Sequence, residues 1–139
     1  CRSKQGLQRN PAMNTPEESC DACGSAPKLI FSCSGAADVG LLADQAARKL
    51  TRDGIGRMFC LAGIGGRVPG ILAITRSAKK ILAIDGCPSA CVKHCLEEAG
   101  FDDFEHLQLA DLGLCKGESP MSEERLAGVC SNAATLLAS

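Results

Sequence analysis

The chain has no Trp and no Tyr, and its 4 Phe bring the aromatic share to only 3%. With so few aromatic faces there is little for bases or sugars to stack on, which argues against a single-strand nucleic-acid platform. Phe31, Phe59, Phe101 and Phe104 lie in or beside apolar runs, where core packing accounts for them. Long apolar runs are missing too. No stretch approaches the roughly 18 residues that cross a bilayer, and none has the hydrophobic segment of a signal peptide. A surplus of one charge is also lacking. The 15 basic and 16 acidic residues leave a formal net charge of -1. That balance argues against a surface built for nucleic acid or an anionic membrane. Neither partner is expected.

What the chain has in excess is cysteine, 10 in 139 residues. Disulfide-rich secreted scaffolds reach such densities, but they are usually small and core-poor. This chain instead carries runs of Ile, Leu and Ala long enough for a true core. The expectation is a reducing, cytoplasmic compartment, where clustered thiols bind metal or do thiol chemistry.

The order of elements points to one architecture. Residues 1–19 are polar and aperiodic and are expected to form a flexible N-terminal arm, leaving 20–139 as a single α/β metal-binding domain. "KLIF" reads as a strand, and "DVGLLADQAARKL" as a helix with Asp38 as a candidate cap. "GRMFCLAG" reads as strand two, and "VPGILAITRSAKK" as a helix with Pro69 in its first turn. "KILAIDG" is strand three, "PSACVKHCLEEAG" a helix closed by Gly100, and "FEHLQLADLG" strand four. "SPMSEERLAGVCSNAATLL" is a last helix with Ser119 as cap. Strands alternating with helices predict βαβ units and a small doubly wound three-layer α/β/α sandwich with a mainly parallel sheet.

The cysteines fall at recurrent places in that pattern. Cys33 stands at the exit of strand one, Cys60 at or near that of strand two, and Cys87 at that of strand three. Cys91 stands in the first turns of the next helix. Right-handed parallel crossovers bring such exits to one rim of the sheet. Four sulfurs there suit a tetrahedral zinc ion. Residues four apart share a helix face, so Cys87 and Cys91 can address one ion, with Cys87 as helix cap and its thiolate favoured by the helix start. Gly86 and Pro88 fit the turn, and Asp85 can accept backbone N–H groups or orient the loop.

Cys20 and Cys23 form a CxxC pair in a polar segment before the first strand, where core packing explains them poorly. They are assigned to metal as well, at the rim or around a second ion. Cys95 and Cys130 fall on apolar helical stripes and are assigned to the core; Cys115 is a second-tier candidate. His94 is expected to be exposed, His106 receives no role, and Asp111 is a candidate outer partner or acid/base group. The glycine-rich "CSGAADVG" and "AGIGGRVPG" lack the endings of a phosphate loop or dinucleotide fingerprint, and are read as tight turns or a close wrap around the rim.

Three ordered segments, "CSGAADVG", "FCLAGIGG" and "IDGCPSAC", resemble the DGC-domain family, named for its Asp-Gly-Cys motif. The resemblance covers about residues 28–115. It implies a zinc site of four cysteines, matching Cys33, Cys60, Cys87 and Cys91, and it implies no particular reaction.

The leading expectation is thus a cytoplasmic zinc-binding protein with a thiolate site at the strand ends. No positioned His or Glu argues for an enzyme, and no protein partner is indicated. An iron–sulfur or thiol redox protein, and a metal-responsive interaction module, stay open because thiolates serve all three.

Overall fold

The computed structural model describes residues 26–139. In chain order the elements are β1 (Lys28–Ser32), α1 (Asp38–Arg52), β2 (Arg57–Met58), α2 (Leu61–Gly65), α3 (Pro69–Arg76), β3 (Lys80–Asp85), α4 (Cys91–Glu98), β4 (Glu105–Gln108), a 3-10 turn (Leu109–Leu112) and α5 (Glu123–Ala138). The four strands are all parallel, in the order β2-β1-β3-β4. The expected α/β sandwich is what forms.

β1 and β3 lie at the centre and are covered on both faces, hence their unbroken apolar runs. Their side chains still alternate. Ile30, Leu82 and Ile84 join Leu42, Leu50, Val129 and Leu137 in a core under α1 and α5. Leu29, Phe31, Ile81 and Ala83 join Ile64, Val92 and Leu96 in a second core under α2 and α4, with Ile71 and Leu72 of α3 at its margin. α1, α4 and α5 cover the sheet with the stripes their sequence periods supply.

One topological consequence matters for function. The chain leaves β1 for α1 on one face, and leaves the neighbouring β3 for α4 on the other. Such a divergence opens a crevice at the carboxyl ends of the two strands, the usual ligand position in doubly wound sheets.

Several boundaries differ from expectation. β2 has only two residues, because Leu61–Gly65 turns helical and buries Ile64. Strand four stops at Gln108, where the chain tightens into the 3-10 turn. Asp38 is the first residue of α1 and not its cap, a position held by Ala37. The Asp38 carboxylate instead accepts the N–H groups of Gly117 (2.8 Å) and Ser119 (2.7 Å). That capture keeps Ser119 buried outside the last helix, and Ser122 caps α5, accepting from the Arg125 N–H at 3.3 Å.

Candidate functional site

The crevice between β1 and β3 is built mainly from backbone. The Cys33 N–H donates to the Ile84 carbonyl at 3.1 Å, which holds this residue to the sheet just past β1. Opposite it, Gly86 lies against the first turn of α1: a Cβ there would stand 2.8 Å from the Val39 carbonyl carbon. A Cβ on Gly40 would stand 2.4 Å from the Gly35 oxygen. Only glycine permits these approaches. The resulting cavity of about 430 Å³ is lined by Cys33, Cys87, Cys91, Ser89, Asp85 and Lys116, among others.

The segment "CPSAC" forms a turn and not a helix start. The Ala90 N–H donates to the Cys87 carbonyl at 3.1 Å, with Pro88 and Ser89 at the corners. Proline suits the first corner because its φ is already set. Ala90 is left-handed, at φ 46°, and α4 begins at Cys91. Cys87 is therefore not the cap of α4, and Cys87 and Cys91 do not form a helical pair. The cysteines one helical turn apart are Cys91 and Cys95.

The capping role passes to Asp85, whose side chain is 1% exposed. Its Oδ1 accepts the Val92 N–H at 2.8 Å and its Oδ2 the Lys93 N–H at 3.1 Å. A carboxylate from the end of the preceding strand thus satisfies the first turn of α4. Hydrogen bonding from Ser89, its backbone N–H before its hydroxyl, lowers the Cys87 pKa, with help from the charge of Lys116. Cys91 shifts the other way although the residue is largely exposed. Partial desolvation of its thiol comes first, followed by the charge of Asp85 and the neighbouring thiols Cys33, Cys87 and Cys95.

On the other side of Cys33 lies a second cleft of about 660 Å³, reached also by Cys60, Cys95, Ser34, Asp44 and Arg48. Side chains build this one. Cys60 precedes the short α2, and Cys95 is half-buried on α4. The Ser34 hydroxyl donates to Asp44 at 2.9 Å, and the Arg48 Nε donates to the same carboxylate at 2.7 Å. Phe59 meets Phe31 edge-on, with centroids 6.0 Å apart.

The cysteines at the three strand exits therefore lie on one rim, but in two clefts that share Cys33. Among the described residues, no three His, Cys, Asp or Glu side chains converge tightly enough to hold an ion. The donor chemistry suits a thiophilic metal; the arrangement is open. Cys20 and Cys23 lie outside the described residues.

The remaining candidates separate by burial. Cys130 is 8% exposed in the core under α5, and His94 is exposed beside Glu97. Cys115 and Asp111 are exposed. Cys95 packs partly on the core, as its stripe suggests, but also lines the second cleft. Its spacing from Cys91 carries that signal. His106 Nε2 lies 3.0 Å from the Asp85 carboxylate, a contact with no sequence signal, because it depends on the β3–β4 register that sets His106 beside Ala83. Lys116 at the first cleft likewise carries no motif.

The comparisons with known proteins agree with the motifs. The family model described as the DGC domain matches residues 29–133. Anaerobic and virulence modulator AnvM of Pseudomonas aeruginosa is 43% identical over 88 residues, covering 63% of this chain and 67% of its own. No solved structure matches the chain. The family match spans both clefts, and on it the chain belongs to the DGC-domain family.

Proposed function

We propose that this is a cytoplasmic zinc-binding protein whose ion is held by thiolates at the carboxyl rim of the sheet. One observation carries the reading: Cys33, Cys60 and Cys87 follow three parallel strands, and Cys91 opens the next helix, so four thiols border one rim. Zinc takes four thiolates in closed structural sites. Loading this rim requires the loops of the two clefts to draw together around the shared Cys33. Cys20 and Cys23 are proposed as further ligands, either at the rim or around a second ion.

A second reading is a metal-responsive interaction module. It is favoured by the name of the relative AnvM, which is that of a modulator and not of an enzyme. Under either reading the ion contributes to folding free energy, since the unfolded chain holds it poorly.

The test is elemental analysis of protein expressed with zinc, followed by single Cys→Ser variants at the six positions. About one zinc per chain is expected, or two if the CxxC pair holds its own. Cys87→Ser and Cys91→Ser should each lose most of the rim zinc and melt earlier. Metal-free protein with all 10 thiols titratable would overturn the proposal. Visible absorbance with acid-labile sulfide would replace it with an iron–sulfur site.

A further inference from the structure

We propose that His106 is a positioning residue for the thiol rim, acting through Asp85 on the loop that carries Cys87 and on the start of α4 at Cys91. Three elements meet at the Asp85 carboxylate. It stands at the end of β3, accepts two N–H groups from the first turn of α4, and pairs with His106 Nε2 of β4 at 3.0 Å. His106 pairs with Ala83 across the ladder, which sets its ring on the same face of the sheet as Asp85.

With Asp85 1% exposed, water has little access to this carboxylate, so protein donors satisfy it. The two donors from α4 are backbone and move with the helix. The His106 ring, 24% exposed, is the side-chain donor, and it ties the carboxylate at the end of β3 to the neighbouring strand β4. The five residues between Asp85 and Cys91 are suspended between that tie and the helix. Ala90 within them is left-handed, a conformation that alanine keeps only where its surroundings impose it. In the neutral ring this geometry requires the proton on Nε2.

The inference rests on the rim being the functional site, but its test uses thiol alkylation, so its failure is read separately from a failure to bind zinc. In metal-free protein, per-cysteine iodoacetamide rates are followed by mass spectrometry for wild type, His106→Leu and His106→Gln. His106→Leu should change the Cys87 and Cys91 rates by about threefold or more, as thiolate environment controls reactivity. Cys60 and Cys115, on other loops, should keep their rates. His106→Gln, which keeps a donor, should restore Cys87 and Cys91. Unchanged rates, an equal change at all four cysteines, or a selective change that Gln does not reverse would each overturn the proposal. Should His106→Leu fail to fold, the ring proton decides: long-range proton–nitrogen NMR of wild type should find it on Nε2, and a ring protonated only on Nδ1 would overturn the assignment.

Discussion

The two clefts on either side of Cys33 differ in what they are made of. The first is backbone against backbone, with Gly86 closing the distance between α1 and the turn after β3, and Gly40 that between α1 and the loop after β1. The second is side chain against side chain, held by the Ser34–Asp44–Arg48 network and the Phe31–Phe59 pair. A wall of backbone cannot yield to an added atom, whereas side chains change rotamer at small cost. The first cleft should therefore be intolerant of substitution and fixed in shape, and the second adjustable. An ion shared between them would draw the second toward the first.

The largest effect should come from glycine. Gly40→Ala or Gly86→Ala places a Cβ within 3 Å of backbone atoms and should cost about 3 kcal/mol or more in denaturant unfolding. Gly65→Ala, in the second cleft, meets only the Cys95 sulfur at 3.9 Å and should stay within about 1 kcal/mol of wild type. Equal costs at the two clefts would erase the distinction.

Next in size is thiol reactivity within the first cleft. The Ser89 donors lower the Cys87 pKa while desolvation raises that of Cys91, so more of Cys87 is thiolate near neutral pH. Cys87 should alkylate faster than Cys91 in metal-free protein. Ser89→Ala should slow Cys87 by about threefold or more, measured as rate against pH. A rate unaffected by Ser89→Ala, which keeps the backbone N–H, would show that the Ser89 hydroxyl does not act on the sulfur.

A smaller effect is expected at the loop carrying Lys116. The N–H groups of Gly117 and Ser119 hold the Asp38 carboxyl below its usual value of 3.8. A folded pKa below the unfolded one gives stability that is present above 3.8 and is lost as the pH falls through the folded value. Amide exchange at Gly117 and Ser119 should therefore lose protection in that acid window, and Asp38→Asn should abolish the dependence. Lys116 borders only the first cleft, so Cys60 reactivity should not follow.

The smallest effect belongs to the second cleft's ion pair. Arg48 is 55% exposed, and Arg48→Ala should cost no more than about 1 kcal/mol in thermal melts. A larger loss would mean that this network braces the cleft more firmly than its exposure suggests.

Much of this molecule is legible in the order of its residues. β1 and β3 announce themselves as apolar runs bounded by turns, and α1 carries Val39, Leu42, Ala46 and Leu50 at helical spacing. Parallel order then follows from alternation with helices, and with it the placement of Cys33, Cys60 and Cys87 at strand exits. The departures are local. "CPSAC" resembles a helix start because Pro favours the first helical turn, yet Pro also favours a turn corner, and nothing within five residues separates the two. Ser119 resembles a cap for the same reason, but Asp38, far earlier in the chain, claims its N–H.

The sequence by itself determined the fold class, the two-faced burial of the central strands, the family motifs and the gathering of cysteines at strand ends. Each follows from short-range periodicity and the handedness of the chain, which act within tens of residues. Only the tertiary structure decided that the rim divides into two clefts around Cys33, that Cys95 lines one of them, and that His106 and Asp85 meet. Those outcomes depend on the strand order β2-β1-β3-β4 and on the β3–β4 register. Order and register are settled by how whole faces pack against each other, and no local stretch of residues carries that information.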